Sequence, residues 1–148
     1  MGAIVFKPLS SGEFTQVDED VRQLVRSVAA DSGATLDRKT DSFGFEWLIL
    51  RAPGLEDQVT AVHAIASEFE ARGFGGQLLA AAFRFDGGQH PVYWIYGFKT
   101  GTFWPFVPTG ATQGRDNPQE LELKAKLEPE LPVEADLSKW LALFDAPI

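Results

Sequence analysis

The order of expected elements places the chain in the α+β class, as an antiparallel sheet with helices on one face. Three observations point there. Stretches of helical periodicity lie between stretches that alternate apolar and polar residues, and glycine and proline clusters punctuate the changes of period. No linker, internal repeat or low-complexity tract divides the 148 residues. A core is available, since 45% of the residues are hydrophobic and 12% aromatic. One domain over residues 1–148 is therefore expected.

Residues 4–7 read as a short strand closed by Pro8 and the turn formers Ser10-Ser11-Gly12. Thr15 is placed as a helix N-cap with Asp18 three residues on, and Val17, Val21, Leu24, Val25 and Val28 follow at helical spacing until Ser32-Gly33. Residues 35–39 read as a polar edge strand. After the turn at Asp41-Ser42, Phe43, Phe45, Trp47 and Ile49 alternate along a second strand, which Pro53-Gly54 breaks. Residues 55–72 repeat the helical pattern, with Val59, Val62, Ile65, Ala66 and Phe69 on one face and Gly73, Gly75 and Gly76 as the stop.

Leu79, Ala81, Phe83 and Phe85 alternate next, and Asp86-Gly87-Gly88 signals a hairpin. The return strand carries Val92, Trp94, Tyr96 and Phe98 on one face, with Tyr93, Ile95 and Lys99 on the other. Phe103-Trp104-Pro105-Phe106-Val107 reads as a short apolar run beside a loop. Over residues 118–128 two signals conflict. Leu121, Leu123, Ala125 and Leu127 alternate like a strand, whereas Asn117-Pro118-Gln119-Glu120 combines an N-cap, a first-turn proline and an N3 glutamate. The caps and the helix-forming composition favour a helix. Asp136 would cap a last short helix with Leu137, Trp140, Leu141 and Phe144 as an apolar stripe, closing over the core.

Two β-α-β units in this order predict a ferredoxin-like antiparallel sheet of about five strands with a C-terminal helical extension. A secretion-chaperone-like α/β sandwich is the alternative if the first strand pairs elsewhere.

Composition excludes several function classes. A net charge of −8 argues against a nucleic-acid partner, which needs a concentrated basic surface. With no cysteine there is no disulfide, thiolate chemistry or Cys-type zinc site. The apolar runs are far short of the ~20 residues of a membrane helix, so no membrane insertion is expected. The start lacks the basic segment and apolar run of a secretory signal, so the cytoplasm is the expected location.

No catalytic constellation and no metal or cofactor site stands out. The serines lack a nucleophile-elbow setting, and Gly73-Phe74-Gly75-Gly76 follows a helix rather than preceding one, the reverse of a phosphate loop. His63 flanks a helix face, His90 sits in a hairpin loop, and Glu46 lies on an apolar strand with Arg51, Arg84 or Lys99 as partners if it is buried. The densest feature is the aromatic segment leading to Arg115. Trp94, Phe103, Trp104, Phe106 and Arg115 are the candidate binding residues, with His63 and Glu46 as subordinate polar groups. Two functions compete: an interaction module that binds a protein partner or itself, leaning away from an enzyme, and a small-ligand receptor or hydrolase-like enzyme with an aromatic-lined pocket.

Four stretches carry a resemblance: Thr40-Asp41-Ser42-Phe43-Gly44-Phe45-Glu46-Trp47, Glu70-Ala71-Arg72-Gly73-Phe74-Gly75, Lys99-Thr100-Gly101-Thr102-Phe103-Trp104-Pro105-Phe106 and residues 131–140 (Leu131-Pro132-Val133-Glu134-Ala135-Asp136-Leu137-Ser138-Lys139-Trp140). In this order they resemble the PspA-associated protein family PspAB over nearly the whole chain. The resemblance implies an N-terminal extension in family members that this chain lacks, a cytoplasmic accessory role in the phage-shock response to envelope stress, and a PspA-type or other phage-shock partner. A homodimer is expected only from the aromatic segment, as the self-binding form of the interaction module. It brings no catalytic residue.

Overall fold

The architecture follows from a central strand. In the computed structural model, which describes residues 1–7, 19–20, 22–23, 26–27, 30, 33–110, 112–144 and 146–148, β1 (Gly2–Phe6) is buried at every position and pairs antiparallel with two neighbours. On one side lies β3 (Glu46–Arg51), followed outward by β2 (Thr35–Thr40). On the other lies β4 (Leu78–Phe85), followed by β5 (Val92–Gly97) and β6 (Thr102–Phe106). The sheet has six strands in the order β2-β3-β1-β4-β5-β6. Its first four make two interleaved split β-α-β units, β1 and β2 flanking β3, and β3 and β4 flanking β1. This is the ferredoxin-like arrangement, and the pairing of β1 on both edges removes the alternative.

The sixth strand is the aromatic run that reads in the sequence as a loop neighbour. Gly101, with φ +67°, closes a tight turn in which its N–H donates to the Gly97 carbonyl, so the chain returns immediately along β5. Pro105 is compatible with β6 because an edge strand uses only one side of its backbone in the ladder. The outer side is screened by the chain near Val133, where Phe103 N–H donates to Pro132 O and Glu134 N–H to Phe103 O.

Helix α1 (Leu55–Ala71) covers one sheet face. It buries Gln58, Ala61, Val62, Ile65, Ala66 and Phe69, while Val59 is exposed, so the buried stripe is rotated from the expected one towards Gln58, whose amide donates to Ala52 O at 3.2 Å. Among the described residues preceding β2, Glu19, Asp20, Arg22, Gln23, Arg26, Ser27 and Ala30 are helical. Arg72 at the end of α1 is ion-paired with Asp20 there and with Glu68 at 2.6 Å. The turn at Pro8 to Gly12, the Thr15 cap with Asp18, the valine and leucine face and Ser32 lie outside the described residues.

Helix α2 (Asn117–Leu127) resolves the conflict over residues 118–128 in favour of the caps. The N-cap is Asp116 rather than Asn117, its carboxylate accepting from Gln119 N–H at 3.1 Å. The final helix is shorter than expected. Asp136 caps only a 3-10 turn, Leu137–Lys139, after which the described residues 140–144 and 146–148 form an irregular strap. Carbonyls that a helix would use are taken elsewhere: Trp140 O accepts from Arg115 at 3.1 Å and Leu141 O from the Trp104 indole at 3.0 Å. The strap nevertheless closes over the core, with Trp140 and Ile148 buried in the cluster on the second sheet face.

No described helix is long and apolar enough to cross a membrane.

Candidate functional site

The strap and the second sheet face enclose a cavity of about 650 Å³, within the size range of ligand pockets. Its existence can be read from side-chain volumes. The floor includes Val5, Ala80 and Gly97, small residues on three neighbouring strands, and the strap above them is not a helix that could follow the sheet closely. A bulge enlarges this floor: Val5 pairs with Ala80 but Phe6 with Leu78, so Leu79 is skipped and lines the cavity. This overturns the simple alternation through Leu79, Ala81 and Phe83, since Leu78, Ala81 and Phe83 face α1 instead. Gly97 is required by a close approach, because a Cβ there would meet the Trp104 ring at 2.8 Å. Trp104 and Trp47 form the aromatic walls.

One edge of the opening is organised by Asp41. Its carboxylate accepts from Phe43 N–H at 2.9 Å, Phe45 N–H at 3.0 Å and the Trp47 indole at 2.8 Å. With Gly44 at φ +85°, this fixes the turn between β2 and β3 and leaves Phe43 73% exposed at the cavity edge. Leu141 and Phe144 of the strap, 63% and 40% exposed, complete an apolar rim. Lys99 and Lys139, both exposed, also border the cavity. Lys99 is not the partner of Glu46, which pairs with Arg38 at 3.1 Å and accepts from Thr40 Oγ1 at 3.0 Å. Arg51 pairs with Asp37 and Arg84 with Asp86.

The structure distributes the candidate residues unevenly. Trp104 lines the cavity. Phe106 is fully buried beside it, stacked edge-on against Phe144 at 5.1 Å. Trp94 is buried on β5 opposite Phe83, and Phe103 is half-buried against Tyr96 at 4.9 Å. Arg115 serves the fold. Its Nε donates to both oxygens of Glu120 at 3.0 Å, its Nη1 holds Trp140 O, and the guanidinium lies over the Phe106 ring. Glu120 is the one buried residue of α2 and also accepts from Val107 N–H at 2.9 Å. Among the described residues Arg115 Nη2 is buried without a hydrogen-bond partner, beside a smaller recess of about 350 Å³. His63 is exposed on α1 and lies on the other side of the sheet from the strap, and Glu46 is occupied at the start of β3. Neither lines the cavity.

Chemically the cavity offers apolar contact with charge only at its border. Its titratable side chains are Asp41, Lys99 and Lys139, of which Asp41 is committed to the turn. Among the described residues there is no group of three or more His, Cys, Asp or Glu able to hold a metal ion.

Residues 1–148 match the family PspAB, PspA associated protein B. The chain belongs to this family. Neither a curated relative nor a solved structure matches it. In this PspAB chain, the four stretches that resembled the family include the Asp41 turn, Trp104 and Lys139, all of which border the cavity. The rim residues Phe43 and Leu141 are absent from the sequence candidates, because Phe43 reads as part of the alternating strand through Trp47 and Leu141, an aliphatic residue, as part of the C-terminal apolar stripe. A usable signal is the run Leu79-Ala80-Ala81-Ala82, whose small side chains cannot fill one face of a sheet.

Proposed function

We propose that this chain is a non-enzymatic, cytoplasmic accessory protein of the phage-shock system that acts by binding a PspA-type partner at the rim of the strap cavity. The observation that carries the reading is the exposure of Phe43, Leu141 and Phe144 around one opening. Clustered exposed apolar side chains mark interaction surfaces, and single exposed ones do not. The family description, PspA associated protein B, supplies the partner class. Self-association through the sheet edges is disfavoured: β2 carries Asp37, Arg38 and Lys39, and β6 is screened by the chain near Val133.

The test is a titration of the purified chain with the PspA-type protein encoded by the same genome. Phe43→Ser with Leu141→Ser is expected to weaken binding at least about tenfold, because a few apolar anchors carry most interface energy. The melting temperature should change little, since both side chains are largely exposed. No binding by the unaltered chain, or equal binding by the double variant, would overturn the reading.

A further inference from the structure

The cavity beneath the strap combines three features that specify a ligand. Its interior is apolar, floored by Val5, Leu79 and Ala80 and walled by Trp47 and Trp104. It is open at a border where Lys99 and Lys139 are exposed and form no ion pair among the described residues. The one carboxylate in its lining, Asp41, already accepts three N–H donors. The lining therefore offers an anion two lysines that form no ion pair among the described residues, Lys139 also feeling the nearby Asp136, and its one carboxylate is already engaged by the Asp41 turn. These cations border an apolar cleft in a chain of net charge −8, so their field is local to the opening.

We propose that this cavity binds a medium-chain fatty acid, its hydrocarbon chain against the small-residue floor and its carboxylate at Lys99 and Lys139. The walls remove the chain from water, which supplies the affinity. The lysines select the acid over an uncharged amphiphile of equal length. This goes beyond the partner reading, which concerns the outward-facing rim.

The experiment uses the full chain alone, with dodecanoate and dodecanol below their aggregation limits. Binding is read by calorimetry and by fluorescence, to which Trp47 and Trp104 in the lining report. Dodecanoate should bind at least about tenfold tighter than dodecanol. Lys99→Glu with Lys139→Glu, both at exposed positions, should bring dodecanoate down to the level of dodecanol. Ala80→Phe, which fills the floor, should weaken both ligands at least about tenfold. If that variant unfolds, the lysine pair alone decides. No binding of dodecanoate, equal binding of acid and alcohol, a preference that survives the lysine swap, or association only with phosphatidylglycerol vesicles would overturn the proposal. The partner titration contains no fatty acid, so either reading can fail without the other.

Discussion

The two faces of the sheet are covered in different ways. One is covered by α1, whose buried residues interlock with Ile4, Phe6, Leu48, Leu50 and Phe83, and whose Phe69 ring lies 5.0 Å from that of Phe6. The other carries Ala3, Val5, Ala80 and Ala82 beside the bulky Trp47, Trp104 and Phe106, and is covered by an irregular strap. A helix satisfies its own backbone and presents a continuous apolar stripe, so it can settle onto a sheet wherever side chains fit. The strap has no such freedom. It is pinned where donors meet its carbonyls, at Trp140 and Leu141, and between those pins and the small-residue floor a volume is left unfilled. The helix-covered face is close-packed, and the strap face carries the candidate site.

This contrast can be tested by substitutions, beginning with the largest effect. Phe69→Ala on the filled face should cost about 4 kcal/mol, the range for deleting a buried aromatic from a close-packed core. Urea denaturation would measure it, and a loss below about 1 kcal/mol would mean that the helix face is not tightly packed. Glu120→Ala should cost about 3 kcal/mol, because it leaves the Arg115 guanidinium and Val107 N–H without their acceptor. It should also loosen Trp140, which Arg115 holds, so the tryptophan emission would shift before global unfolding.

The sharpest contrast lies between adjacent alanines. Ala81 faces α1 and Ala80 faces the cavity. Ala81→Leu should destabilise by about 2 kcal/mol through overpacking, whereas Ala80→Leu should cost less than about 1 kcal/mol because there is space to receive it. Equal losses at the two positions would remove the distinction between the faces.

The same contrast explains what could be read from the sequence. Regular elements were legible because their periods are set by backbone geometry: the alternation through Trp47 and Ile49, the helical spacing from Val62 to Phe69, and the cap preceding Pro118 all found their elements. The two-unit order then sufficed for the topology. The site was less legible. Aromatic density at Trp94 and Phe106 marked the sheet's interior rather than a surface, since large rings are what a core consumes first, and Phe103 is half-buried on the edge strand. Arg115, a candidate binding residue in the sequence, is held by Glu120 from the following helix, a contact that periodicity alone did not identify. The Leu79 bulge shifts one strand's facing by a residue, and the strap's course is set by tertiary hydrogen bonds to Trp104 and Arg115. Such features depend on where distant side chains meet, and no local pattern encodes them.

The smallest effect concerns the end of the strap. The Tyr93 hydroxyl donates to the main-chain oxygen of Ile148 at 2.7 Å, on the face that the strap covers. Burial pushes the Tyr93 phenol above its ordinary value, an effect that outweighs the opposing pull of the nearby Arg84 guanidinium. A raised pKa means that folding favours the protonated phenol, which is also the form able to donate to Ile148. Its contribution is therefore fully present below the unfolded tyrosine value of about 10 and is lost as pH rises through the folded value. Alkaline titration should release the strap end, seen as a change in near-ultraviolet dichroism while the far-ultraviolet signal of α1 persists. Tyr93→Phe should cost about 1 kcal/mol at neutral pH and abolish this step, because the hydrogen bond is then absent at every pH. An alkaline step that survives in Tyr93→Phe would assign it to another group and leave the strap anchored by its tryptophan contacts alone.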